Sequence, residues 1–138
     1  MTFLLEIITP EKEIYKNDVD EVIVPTVTGE ITILPNHSPL LSKVAPGELI
    51  VKKGQKEEPM AITGGFLEVF NNKVTILADY AVRADNIEIA RAEEAKKRAE
   101  KIMQEKVGER DFAEAEAQLR RSLLELKVAK KHRRSTAS

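Results

Sequence analysis

Gly29-Glu30-Ile31-Thr32-Ile33-Leu34-Pro35-Asn36-His37-Ser38-Pro39-Leu40-Leu41 passes from a turn to a short strand to a polar loop. Gly29 follows Thr28 and tolerates the positive φ that a tight hairpin needs, so the run opens on a turn. Ile31, Ile33 and Leu34 then read as a short apolar strand, which Pro35 ends. Asn36-His37-Ser38 lies between two prolines, and each proline denies helical backbone to the residue before it. The outcome is a rigid, exposed polar loop. By itself such a loop is better explained as a connection between strands than by a binding role.

Outward from this run the same texture continues on both sides. Phe3-Leu4-Leu5-Glu6-Ile7-Ile8 reads as a buried strand closed by Thr9-Pro10, with its start expected at Thr2, and Asp20-Glu21-Val22-Ile23-Val24 alternates before Pro25. Glu48-Leu49-Ile50-Val51, the turn Lys53-Gly54-Gln55 and Met60-Ala61-Ile62 follow. Phe66-Leu67-Glu68-Val69-Phe70 and Val74-Thr75-Ile76-Leu77 flank Asn71-Asn72-Lys73, whose asparagines accept left-handed backbone, so the pair predicts a hairpin. Eight to ten short strands at this spacing belong to a β-sandwich or barrel. Gly64-Gly65 invites a phosphate-loop reading, but no Lys-Ser or Lys-Thr follows and no helix begins there. The pair is expected to make a bulge or a close strand crossing.

The composition sets limits on function. The chain of 138 residues is 42% hydrophobic with no run of 18 apolar residues, so no membrane span is expected. No charged start followed by an apolar run reads as a secretory signal. The absence of cysteine removes disulfides, thiolate metal sites and thiol catalysis, and two histidines far apart in sequence do not make a metal site. Carboxylates abound without a convergent His, Cys or Gly-rich loop, which argues against an enzyme.

The net charge of −1 conceals two unlike halves. Residues 1–84 carry 8 Lys or Arg against 12 Asp or Glu, and residues 85–138 carry 14 against 11. All six prolines and five of the six glycines lie before residue 66, which places a domain boundary near Ala84. In the second half, Asp85-Asn86-Ile87-Glu88 and Asp111-Phe112-Ala113-Glu114 each pair a capping residue with Glu three positions on, marking two helix starts on either side of Gly108. The first helix, roughly 86–106, puts Ala92, Ala95, Ala99, Ile102 and Met103 on one stripe. The second, roughly 112–131, puts Phe112, Ala115, Leu119, Leu123 and Leu126 on another. Two such helices joined by a short loop pair antiparallel. A methyl group contributes only about 0.8 kcal/mol on burial, so the alanine stripe holds its helix less firmly than leucines would. Equally, alanine is the best helix former and permits close packing.

From Arg120 to Arg134 the chain has seven Lys or Arg and one acid, Glu125. Nucleic acid, an anionic membrane and an acidic protein surface all attract such a run. No aromatic residue follows Phe112 to stack on bases, so the acidic protein surface is preferred and no nucleic-acid partner is expected. Part of the charge also complements the dipole of a helix C-terminus.

Gly29-Glu30-Ile31-Thr32-Ile33-Leu34-Pro35-Asn36-His37-Ser38-Pro39-Leu40 and Thr63-Gly64-Gly65-Phe66-Leu67-Glu68-Val69, followed by Val74-Thr75-Ile76-Leu77-Ala78, closely resemble the epsilon subunits of the F-type, proton-translocating ATP synthase. Two segments at matching separation, with a charged helical tail beyond them, carry the resemblance over nearly the whole chain. It implies an N-terminal ten-stranded β-sandwich, residues 1–84, seated on the membrane ring and against the gamma subunit of the central stalk. A C-terminal antiparallel two-helix hairpin, residues 85–138, is implied as the regulatory part. The role implied is that of a non-catalytic rotor subunit, coupling proton transport to ATP synthesis. In the family the hairpin switches between a form folded on the sandwich and an extended form that blocks ATP hydrolysis. The alternative is a free-standing β-domain with a basic, anion-binding helical tail.

Residue by residue, the resemblance assigns the ring contact to Glu30, Thr32 and His37, with Thr32 replacing a glycine common at that place. It assigns inhibitory contact with the alpha and beta catalytic-sector subunits to Arg120, Arg121, Lys127, Lys130 and Lys131. Some bacterial members bind one ATP through a run of Ile or Leu, Asp, two variable residues, Arg and Ala. Here the matching run is Ile87-Glu88-Ile89-Ala90-Arg91-Ala92, with Arg98 and Arg121 as further cations. Glu88 replaces Asp, moving the carboxylate by about one C–C bond, and positioning errors near 1 Å are costly. Glu125 stands where ATP-binding relatives carry arginine, so no cofactor is required and ATP binding is expected to be weak or absent. The plain alternative is that Arg91 and Arg98 pair with Glu94 and Glu105 on the helix surface. The implied location is the periphery of the bacterial plasma membrane on its cytoplasmic face, or a plastid thylakoid membrane.

Overall fold

Every second residue of the first strand, Phe3, Leu5 and Ile7, is buried, and this two-residue period recurs in most strands of the first half. The computed structural model describes residues 1–136 and divides into two compact units, Met1–Arg83 and a second beginning at Ala84. The first unit has ten strands. They are β1 (Phe3–Ile8), β2 (Glu13–Val19), β3 (Glu21–Thr26), β4 (Gly29–Ile33) and β5 (Leu40–Val44), then β6 (Gly47–Lys53), β7 (Lys56–Ile62), β8 (Gly65–Phe70), β9 (Lys73–Ala78) and β10 (Ala81–Arg83). Their order is β10-β7-β6-β3-β5-β8-β9-β1-β2, with β4 paired to β3 off this path. All pairs are antiparallel except β1 with β9. The sheet folds over one core in the manner of a β-sandwich, with Leu5, Ile7, Ile33, Leu49, Met60, Leu67 and Ile76 among its fully buried side chains. Burial of each large aliphatic side chain contributes about 1.5–3 kcal/mol.

Turn chemistry sets the register. Phe70 pairs with Lys73 across Asn71-Asn72, whose φ values of 49° and 58° are the left-handed pair that a two-residue hairpin requires. Thr26 pairs with Gly29 across Val27-Thr28, so Gly29 (φ 120°) is the first residue of β4 rather than a member of the turn. Gly65 lies between two strands, opposite Val44 on β5 and Ala78 on β9. A Cβ at Gly65 would stand 1.9 Å from the Leu77 carbonyl oxygen. Gly64-Gly65 is thus a close strand crossing, made without any phosphate-binding helix.

The second unit opens with a 3-10 turn at Ala84–Asn86, followed by α1 (Ile89–Gln104) and α2 (Glu109–Thr136). Both helix starts differ from the sequence reading. Asp85 does not cap α1, because its carboxylate meets His132 Nε2 at 2.6 Å. Glu88 takes the N-cap position in extended conformation, without a side-chain capping bond. α2 starts earlier than the Asp111 motif indicates: the Phe112 N–H donates to the Gly108 carbonyl at 3.0 Å, so Gly108 provides the first acceptor. Glu109 and Asp111 then fall inside the first turn, where acids suit the helix dipole. The α2 stripe also differs. Ala115, Ser122, Leu126, Val128 and Ala129 are buried, whereas Phe112 and Leu123 are exposed. On α1, Ala92 and Ala99 are buried and Ile102 is exposed. Lys130 Nζ on α2 reaches Glu93 Oε1 on α1 at 3.4 Å, as an antiparallel pairing requires.

Candidate functional site

The loop between β4 and β5 is held by side chain to backbone bonds rather than by a strand ladder. Asn36 adopts φ 63°, and its N–H donates to Asn72 Oδ1 at 2.8 Å, while Asn72 Nδ2 donates to the Thr2 carbonyl at 2.8 Å. One hairpin asparagine therefore ties the loop to the start of the chain. His37 is half-buried, and its Nδ1 donates to the Ser38 carbonyl oxygen at 2.7 Å. Glu30 and Thr32 are both exposed and, two apart on β4, share one side of the strand. The sequence reading gives Asn72 only a turn role, because a brace over 36 residues of chain leaves no local signature.

A second feature of the β unit has no counterpart in the sequence reading. Leu41 on β5, Phe66 and Phe70 on β8, and Leu77 on β9 are 74%, 56%, 56% and 54% exposed. Phe66 pairs directly with Leu77, and Leu41 stands opposite Glu68, diagonal to both phenylalanines. The four share the outer side of three adjacent strands, forming an apolar patch with Glu68 between its two phenylalanines and with Lys43 and Lys73 at its edges. The signal was present in Gly65-Phe66-Leu67-Glu68-Val69-Phe70, where apolar residues occupy both phases of a two-residue period.

Of the ATP candidates, only Arg98 lines the cavity between the two helices. Ile87 and Ala92 are buried, and Arg91 Nε meets Glu88 Oε2 at 3.5 Å on the helix surface, so its partner is Glu88 rather than Glu94. Arg98 lines a cavity of about 410 Å³ between α1 and α2, together with Glu105, Asp111 and Glu114. Three carboxylates there oppose a triphosphate. Arg121 is on α2, with its Nε 3.6 Å from Glu125 Oε1.

The basic tail is partly occupied within its own unit. Arg120 meets Glu116 at 3.6 Å, Lys130 meets Glu93, and Arg133 Nη2 donates to the Ile87 carbonyl at 2.7 Å. Lys127 and Lys131 are exposed on α2. No group of three metal-ligating side chains occurs among the described residues, and no helix among them is long and apolar enough to cross a membrane.

Known proteins match both units. Residues 2–84 match the beta-sandwich domain of the ATP synthase delta/epsilon chain, and residues 85–130 match its long alpha-helix domain. The ATP synthase epsilon chain of Dehalococcoides mccartyi is 48% identical over 131 residues, covering 94% of each chain. That of Herpetosiphon aurantiacus is 47% identical over 133 residues, covering 96% of this chain and 98% of the other. Among solved structures, a chain of the Euglena gracilis mitochondrial ATP synthase (OSCP/F1/c-ring) has a TM-score of 0.64 at 22% identity, over 98% of this chain and 81% of that one. A chain of the Tetrahymena thermophila enzyme's central stalk and c-ring gives 0.61 at 17% identity, over 91% and 95%. At those identities the likeness concerns the fold. The two matched domains, in order and nearly end to end with the bacterial relatives, carry the assignment: the chain belongs to the delta/epsilon family of the ATP synthase.

Proposed function

We propose that this chain, an accessory and non-catalytic subunit, works as part of the rotor. Its β unit seats on the gamma subunit and the membrane ring, and its hairpin restrains ATP hydrolysis at the alpha and beta subunits. The observation that carries the reading is the apolar patch of Leu41, Phe66, Phe70 and Leu77. A free-standing β-domain with an anion-binding tail would gain nothing from four large apolar side chains on one outer face, whereas a stalk subunit needs such a seat. Glu30, Thr32 and His37 are assigned to the polar loops of the ring, since Glu30 and Thr32 are exposed and the His37 loop is braced by Asn72. ATP is assigned no more than a weak regulatory part, because Glu88 engages Arg91 and the Arg98 cavity is acid-lined. The location proposed is the membrane periphery on the cytoplasmic face of a bacterium, in keeping with the bacterial relatives.

The test replaces Phe66 and Leu77 together with Glu. Both side chains face outward, so the β unit should melt normally while the subunit no longer copurifies with gamma. Glu30→Ala with His37→Ala should instead weaken attachment to the ring and ATP-driven proton pumping. Normal gamma binding by the Phe66/Leu77 variant would overturn the seat.

A further inference from the structure

The two strands that end the sheet order, β10 and β2, are not hydrogen-bonded neighbours, and side chains bridge the seam between them. Arg83 on β10 donates from Nη2 to the Ile14 carbonyl on β2 at 3.4 Å, and its guanidinium lies 5.1 Å from the centre of the Tyr15 ring. Lys53 Nζ on β6 donates to Asn17 Oδ1 on β2 at 3.0 Å. A cavity of about 240 Å³ opens at this seam, walled by Lys16, Lys53, Lys56 and Arg83 with a single carboxylate, Glu58.

The wall is unbalanced in charge. Glu58 is shared between Arg83 Nη1 at 3.6 Å and Lys56 Nζ at 3.8 Å. Among the described residues neither Lys16 nor Lys53 has a carboxylate within ion-pair distance, although the first unit as a whole is acidic. Cations converging on a concave, partly desolvated site raise one another's energy, and a bound anion relieves this. The donors are also organised. Arg83 is held by Ile14, Tyr15 and Glu58, so its planar fork loses little freedom on meeting an oxyanion. The exposed lysines beside it can turn toward a bound anion, Lys53 from Asn17 and Lys56 from Glu58. The Tyr15 hydroxyl, kept protonated by burial and then by Glu58, adds a neutral donor.

We propose that the seam cavity binds a small multivalent phosphate anion, inorganic phosphate or pyrophosphate. Size separates this from a nucleotide site, because the cavity falls below the roughly 300–1,000 Å³ of pockets that enclose drug-sized ligands. None of its residues belongs to the ATP run or the basic tail, so the proposal does not depend on the hairpin's role.

Calorimetry and thermal melting of the full chain, with phosphate, pyrophosphate and ATP at ionic strength fixed by NaCl, test it. Pyrophosphate should bind saturably and more tightly than phosphate, and should raise Tm by mass action. Lys53→Gln with Lys56→Gln alters two exposed side chains and should weaken binding by at least about tenfold, the loss expected from two charged contacts. Lys96→Gln with Lys97→Gln on α1 should leave binding unchanged. Arg83→Gln also removes seam contacts, so the lysine pair decides the matter. A Tm response no larger than that to NaCl, equal binding by the lysine variant, or binding of ATP alone would each overturn the proposal.

Discussion

Gly65 occupies a position that no side chain fits, since a Cβ there would collide with the Leu77 carbonyl and its φ is 130°. Gly65→Ala combines steric overlap against backbone with an unfavourable dihedral, and should destabilise the β unit by at least about 2 kcal/mol in urea denaturation. Tyr15 makes a different prediction. Burial foremost, then the Glu58 charge, holds its phenol above the ordinary value near 10, against the opposing pull of Arg83 and Asn17. A raised pKa means the folded state favours the proton. Stability from this source is complete below about pH 10 and falls as pH climbs toward the folded-state value. Tyr15→Phe should therefore flatten the alkaline loss of stability, and ultraviolet titration should show one tyrosine ionising late. The Gly65 constraint was legible in sequence, because a Gly-Gly pair between two strand-like runs has few uses. The Tyr15 environment was not, because Glu58 and Arg83 reach it from β7 and β10, strands distant in sequence.

On the scale of elements, helices deceived more than strands did. A strand's two-residue period shows directly in Phe3, Leu5 and Ile7, and an Asn-Asn turn names its own hairpin. The α2 stripe departs from its hydrophobic pattern because a small polar residue, Ser122, occupies a fully buried position, its hydroxyl 3.3 Å from Gln118 Nε2. Leu123, the more hydrophobic neighbour, faces outward instead. Leu126 is 7% exposed and Leu123 is 45% exposed, so the two leucines should respond unequally to truncation. Leu126→Ala should cost about 2–4 kcal/mol, and Leu123→Ala less than about 1 kcal/mol, in the melting of the helical unit. Equal losses would restore the original stripe. The helix starts were misread for a related reason. A capping box describes only local bonds, and Asp85 is claimed by His132, 47 residues away.

For the whole molecule, the two units differ in what holds them. The buried apolar cluster of the β unit runs from Phe3 to Ala81, all within that unit. Residues 1–84 alone should therefore melt as one cooperative domain. The helical unit buries alanines at 84, 92, 99, 115 and 129 and Ser122, with three larger side chains, Ile87 ahead of α1 and Leu126 and Val128 on α2. Small contacts hold a helix pair weakly, and ion pairs at exposed surface, such as Lys130 with Glu93, add little. A hairpin so held can exchange its internal contacts for others of similar strength, which a switch requires. Glu93 and the Ile87 carbonyl engage Lys130 and Arg133, so extension would release these two cations toward acidic surface on the catalytic subunits. Removing every residue after Asp85 should accordingly raise ATP hydrolysis by the assembled complex several-fold while assembly persists, because the seat proposed on gamma belongs to the β unit. Neutralising Arg120, Arg121, Lys127, Lys130 and Lys131 should reproduce part of the increase. The difference between that variant and the parent should shrink at high salt, where exposed charges are screened. Equal hydrolysis rates for truncated and full-length complexes would rule out an inhibitory hairpin and leave the β unit's seat standing.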